Sequence, residues 1–233
     1  MVKPDEYYEN SREELLPFIP VIKDAAILDI GCGAGGLGRL LKENGCGKLV
    51  GIELVAEQAA RASSIYDTVY CENVENFAIP FTPETFDVII CADVLEHVID
   101  PWSLLKKLRN LLKPSGTVVG SIPNVRHAAV IGRILQGRFG YDAKGILDRD
   151  HLRFFTFDDL VRLFFEQKLK IVNLSAQSSE DAEATVTEWK RHGVPVKLQE
   201  IIKWFCNADY EFRDDELSDF LTVQFLFAAV RID

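Results

Sequence analysis

No run of about 18 apolar residues occurs in this 233-residue sequence, so no segment predicts a membrane-spanning helix. The opening stretch, MVKPDEYYENSREELL, has no apolar core and does not read as a secretory leader. Cysteine is sparse. Cys32, Cys46, Cys71, Cys91 and Cys206 are odd in number and form no Cys-x-x-Cys pair. They read as small buried residues of a reduced, cytoplasmic protein. Basic residues are in deficit, 26 against 36 acids, for a formal net charge of −10. Such a chain lacks the broad electrostatic attraction that draws proteins to nucleic acid or anionic lipid, so neither partner is expected. There are no internal repeats and no low-complexity linker. No Gly-Lys-Ser/Thr follows the glycine-rich turn, which excludes a P-loop.

What is present fits one α/β domain spanning residues 1–233. Hydrophobic residues make up 48% and charged residues 27%, enough for a sizeable core. Residues 27–41 read ILDIGCGAGGLGRLL: an apolar strand ending in Asp29, a turn with Gly31, Gly33, Gly35 and Gly36, then an amphipathic helix. Glycines in such a turn let a ligand approach the backbone closely, and a helix N-terminus follows. Gly31-x-Gly33-x-x-Gly36 also fits the dinucleotide fingerprint, with Glu53 as the ribose acid, so an NAD-dependent oxidoreductase competes for this motif. Asp29 argues against it. A carboxylate there repels a pyrophosphate and suits a ligand with an ammonium and a sulfonium, as in S-adenosylmethionine.

Strand–helix alternation continues through 48–54, 56–65, 68–73, 86–93, 101–112 and 117–122, with a turn at 113–116. This predicts a doubly wound, mostly parallel sheet. A short helix is expected over 10–16, a helix over 156–167 capped by Thr156, a sixth strand over 169–175 and a last one over 220–232. Residues 124–155 and 180–219 read as two insertions forming a cap over the acceptor site. The first is expected to be partly helical, the second helical around 196–205.

DIGCGAGG at 29–36, GIEL at 51–54, FDVIICADVLEHVIDP at 86–101 and LLKPSGTVVGSIPN at 111–124 resemble, in order and spacing, the class I S-adenosylmethionine-dependent methyltransferases. SIPNVRH and DHLRFFTFDDL add a likeness to small bacterial members associated with glycan and cell-envelope biosynthesis. The resemblance implies a Rossmann-like seven-stranded sheet with an antiparallel last strand. It implies S-adenosylmethionine as cofactor and a small-molecule or glycan acceptor, methylated on oxygen, with nitrogen as the alternative. A non-catalytic cofactor-binding module is a third reading, which no sequence feature supports directly.

Within that family pattern, the backbone of Gly31, Cys32 and Gly33 would meet the methionyl part. Glu53 would accept the ribose hydroxyls, with Leu54 beside it. Asn73 and Val74 would meet the adenine, and Asp93 the ammonium or the acceptor. Cys71-Glu72-Asn73-Val74-Glu75 departs from the commoner Gly-Asp form, which leaves the adenine contact open by one position. Tyr7 and Tyr8 stand in the segment that would close the pocket. For the base that takes a proton from a hydroxyl acceptor, His151 is favoured, with His127 as the other candidate in the cap. No metal is expected. The alternative places Asp93, Glu96 and His97 on one helical face which, with His151, would hold a hard divalent ion.

Overall fold

The computed structural model describes residues 8–178, 200 and 219–232. Seven strands form one sheet: β1 Ala26–Ile30, β2 Lys48–Glu53, β3 Thr68–Cys71, β4 Phe86–Ala92, β5 Leu112–Pro123, β6 Leu169–Ser178 and β7 Thr222–Arg231. Their order is β3-β2-β1-β4-β5-β7-β6. β3, β2, β1, β4 and β5 pair in parallel, and β7 runs antiparallel to both β5 and β6. Among the described residues the helices are α1 Gly36–Glu43, α2 Ala56–Ala62, α3 Pro101–Leu111, α4 Ala128–Leu135 and α5 Phe157–Glu166, preceded by a 3₁₀ turn at Glu13–Phe18.

The apolar runs of β1 and β4 reflect burial on both faces. Leu28 and Ile30 of β1, with Ile89 and Cys91 of β4, join one core cluster with Leu104, Leu105 and Leu108 of α3 and Leu160 and Phe164 of α5. Ile27, Val88 and Ile90 point the other way, into a second cluster with Leu37 and Leu41 of α1 and Ala62 of α2. Alternate residues of one strand therefore serve two helical layers, which is double winding. The chain starts at β1 and winds outward in both directions. The β1–β4 boundary is thus the switch point, and ligands bind beyond the carboxyl ends of such strands.

Local signals explain several boundaries. Asp100 caps α3 by accepting the Ser103 N–H at 3.0 Å, and Pro101 follows where its missing donor costs nothing. Thr156 and Asp159 form a reciprocal capping box on α5. Elsewhere the structure corrects the sequence reading. The 3₁₀ turn occupies 13–18 and contains Pro17, which the tighter winding accommodates at its end. β3 stops at Cys71, leaving Asn73 in a turn. β5 begins at Leu112: Leu112 pairs with Phe86 and Thr117 with Val88, so residues 113–116 bulge from within the strand. In the first insertion, helix is confined to α4, and an Asn124–Phe155 bridge ties the ends together. Cys32, Cys46 and Cys91 are buried thiols, but Cys71, last in β3, is exposed. The helix expected around 196–205, most of the second insertion, Tyr7 and Cys206 lie outside the described residues.

Candidate active site

Gly31 and Gly33 take left-handed backbone conformations, φ 71° and 54°. The turn they make is tied to β2, since the Gly31 N–H donates to the Ile52 carbonyl at 2.8 Å. Glu53, at the end of β2, accepts the Gly33 N–H through Oε2 at 2.9 Å and the Val55 N–H through Oε1 at 2.8 Å. One acid thus fixes the glycine turn and the start of α2, and each oxygen keeps a lone pair for ribose hydroxyls. Leu54 beside it is 66% exposed, an apolar side chain open to a nucleoside. Asn73 accepts the Glu75 N–H at 2.9 Å in an Asx turn, while Val74 is packed in the core. Left-handed glycines, a carboxylate at the end of β2 and an exposed leucine fit S-adenosylmethionine.

Not every glycine faces this pocket. A Cβ on Gly36 would lie 2.5 Å from the Asn10 carbonyl oxygen, and one on Gly38 would lie 2.3 Å from the Tyr66 ring. These positions are glycine because protein packs against them. The N-terminal segment crosses the turn, with the Tyr8 carbonyl accepting the Ala34 N–H at 3.0 Å. Asp29 is likewise less open than the sequence reading had it. It is 3% exposed, and Oδ2 accepts the Tyr66 hydroxyl at 2.6 Å. Burial pushes its carboxyl up to about 7, partly offset by the Tyr66 bond and raised further by Glu53.

Asp93 directly follows β4 in a left-handed conformation, φ 52°. Its carboxylate is held by Arg12, by the Ser121 hydroxyl at 2.8 Å and by the Gln224 amide. Arg12 also donates to the Ser121 oxygen at 2.8 Å. This clasp joins the N-terminal segment to β4, β5 and β7. Sequence reading missed Arg12 and Tyr66, because nothing local marks a side chain whose partner lies 81 or 37 residues away.

A second cluster stands just past β4. Glu96, His97 and His151 each bring a donor atom, all within 4.8 Å of one another. Asp93 is not among them: residues 93–97 form turns rather than a helix, so the expected shared face does not exist. Glu96 is 1% exposed, and neither carboxyl oxygen has a hydrogen-bond partner among the described residues. Burial pushes that carboxyl well above the ordinary range, and the Asp93 charge adds to the rise. Its backbone carbonyl accepts from Leu152 and Arg153 at 2.8 and 3.0 Å, stapling residues 151–153 to the turn. His97 Nδ1 bonds the Asp150 carbonyl and His151 Nδ1 the Ile146 carbonyl, both at 3.0 Å. A carbonyl only accepts, so each Nδ1 carries the proton and each Nε2 a lone pair. The two rings stand edge to face, centroids 4.7 Å apart. Burial lowers the His151 pKa, and His97 opposes its charging further. His127 lies elsewhere: its Nδ1 accepts the Ala129 N–H at 3.2 Å and caps α4.

Comparison with known proteins agrees with this geometry. A family model described as a methyltransferase domain matches residues 5–174. A ubiquinone biosynthesis O-methyltransferase from Neisseria meningitidis is 34% identical over 111 residues, 44% of this chain and 46% of that protein. One of the same description from Serratia proteamaculans is 30% identical over 146 residues, 60% of each. The chain thus spans only part of the length of these curated relatives. Among solved structures, a methyltransferase from Archaeoglobus fulgidus superposes with a TM-score of 0.65 at 16% identity, over 97% of this chain and 94% of that one. One from Mesorhizobium loti gives 0.62 at 20%, over 94% and 96%. The same fold, the glycine turn held by Glu53 and the family match together make this chain a member of the S-adenosylmethionine-dependent methyltransferases.

Proposed function

We propose that the chain methylates a hydroxyl oxygen of a small molecule, with His151 as the general base. The observation that carries this reading is the His151 Nε2 lone pair, held at the carboxyl end of the sheet on a ring that burial keeps neutral. A hydroxyl needs its proton removed as it attacks, and a neutral imidazole does this near pH 7, typically for about 10²–10⁴-fold in rate. The description of the curated relatives as O-methyltransferases supports oxygen over nitrogen. A hydroxylated glycan intermediate is the finer alternative for the acceptor.

The bound sulfonium supplies an electrophilic methyl group and a good leaving group. The protein's share is to orient, to deprotonate and to exclude water. Gly31, Cys32 and Gly33 would receive the methionyl portion, Glu53 the ribose, and Leu54, Asn73 and Val74 the adenine. Asp93, with its clasp to Arg12, borders the methionyl end and the acceptor. Alignment of the reactants is worth up to about 7–11 kcal/mol of the barrier.

The two orphaned oxygens of Glu96 favour a second reading of the same cluster. Glu96 with the Nε2 atoms of His97 and His151 makes an oxygen-and-two-nitrogen donor set, suited to a divalent first-row ion or Mg²⁺. An ion held there would acidify an acceptor hydroxyl directly. A radiolabelled-methyl screen over phenols, hydroxylated sugars and amines identifies the acceptor class, and two variants then divide the readings. His151→Ala is expected to leave S-adenosylhomocysteine affinity unchanged and to lower turnover at least about 100-fold. Unchanged turnover removes His151 from the chemistry. Activity that survives chelation and the His97→Ala change supports the base alone. Activity lost to chelator and restored by one metal supports the ion.

A further inference from the structure

We infer that Tyr66 is a positioning residue for the cofactor, its hydroxyl orienting Asp29 as the anion that receives the cationic methionyl end. The inference rests on the reading that Asp29 serves that end of the cofactor. Tyr66 lies beyond α2, outside the glycine turn, and is itself buried. Gly38 is shaped to its ring, and Gly51 and Gly35 also lie against it. Added Cβ atoms would lie 2.3 Å from it at Gly38, 3.1 Å at Gly51 and 3.4 Å at Gly35. The phenol oxygen donates to Asp29 Oδ2 at 2.6 Å. It lies against Gly38, in the first turn of α1, where an added Cβ would meet it at 2.6 Å. Tyr66 is thus wedged between α1 and the strand-end carboxylate, and its bond fixes Oδ2 and leaves Asp29 Oδ1 for the ligand.

The other groups facing Asp29 do not replace this bond. Glu53 opposes its charge and Arg12 favours it from the clasp. Cys32 and Cys91 are buried thiols held neutral beside it. Asp29 titrates near neutrality, at about 7, and the Tyr66 bond lowers that value. Only the carboxylate attracts an ammonium group. Cofactor affinity therefore rises with pH through this region, and loss of the hydroxyl moves the rise to higher pH.

The test is calorimetric titration of the full chain with S-adenosylhomocysteine between pH 5.5 and 8.5. It compares wild type, Tyr66→Phe, Asp29→Asn and the double variant. Tyr66→Phe keeps the ring in its slot, and its melting temperature reports folding separately. The expected result is about 10-fold weaker binding at pH 7 and a midpoint moved up by about one pH unit. Asp29→Asn should bind weakly with a flat profile, and adding Tyr66→Phe to it should change little. A Tyr66→Phe profile that overlays wild type overturns the inference and leaves the cofactor reading standing. So does a flat wild-type profile, which needs no variant to fold. Failure of wild type to bind S-adenosylhomocysteine at any pH overturns both.

Discussion

Glu96 is buried with two carboxyl oxygens that have no hydrogen-bond partner among the described residues. A buried polar group without a partner costs about 1–3 kcal/mol, more if charged. Such a residue in a core is either a fault or a site. Here a carboxyl oxygen and a ring nitrogen from each of His97 and His151 lie within 4.8 Å of one another, which argues for a site. Glu96→Met keeps the volume and removes both orphaned oxygens. In chelated buffer this change is expected to raise the melting temperature by about 2–10 °C, given about 2–4 °C per kcal/mol for a chain of this size. Under the ion reading it should also abolish methyl transfer when the metal is restored. A lowered melting temperature with activity intact would show that Glu96 is a structural acid. The sequence offered Glu96 and His97 as candidates from the Leu-Glu-His block. The alternative that grouped Asp93 with them depends on a helical face where the backbone instead turns, and the three donors around Asp93 come from segments distant in sequence.

At the scale of elements, the glycine turn holds two jobs that its spacing does not separate. Gly31 and Gly33 serve the left-handed turn, while Gly36 admits the N-terminal segment. Helix propensity alone favours Gly36→Ala by about 1 kcal/mol, since position 36 opens α1. The new Cβ would lie 2.5 Å from one backbone oxygen and 2.7 Å from another, and backbone cannot rotate away as a side chain can. The clash wins. Gly36→Ala is expected to lower stability by about 1–3 kcal/mol, as overpacking does. It should also release residues 8–12 and the Arg12 clasp, seen as faster proteolysis near Arg12 and weaker S-adenosylhomocysteine binding. Unaltered cleavage would show that the segment is not seated on the turn. The strands were legible because parallel strands buried on both faces are continuously apolar, and the helices because caps such as Asp100 and Thr156 are local. The bulge at 113–116 was legible as a turn but not as part of a strand, since only pairing with Phe86 and Val88 extends β5 across it.

Across the whole molecule, the choice between a sulfonium nucleoside and a dinucleotide is electrostatic. Asp29 and Glu53 are both buried at the carboxyl ends of β1 and β2, and the chain as a whole carries a net charge of −10. A pyrophosphate lodged on this turn would approach two acids in a region of low dielectric, where repulsion is weakly screened. A cationic methionyl group gains from the same charges. A ligand that binds only the folded state stabilises it by about 2.7 kcal/mol at 100 times its dissociation constant. Saturating S-adenosylhomocysteine is therefore expected to raise the melting temperature by about 5–10 °C. NADH at the same concentration should leave it within error. A shift with NADH and none with S-adenosylhomocysteine would mean that the two acids are protonated or turned away when a ligand arrives. The electrostatic basis of the site would then be reversed.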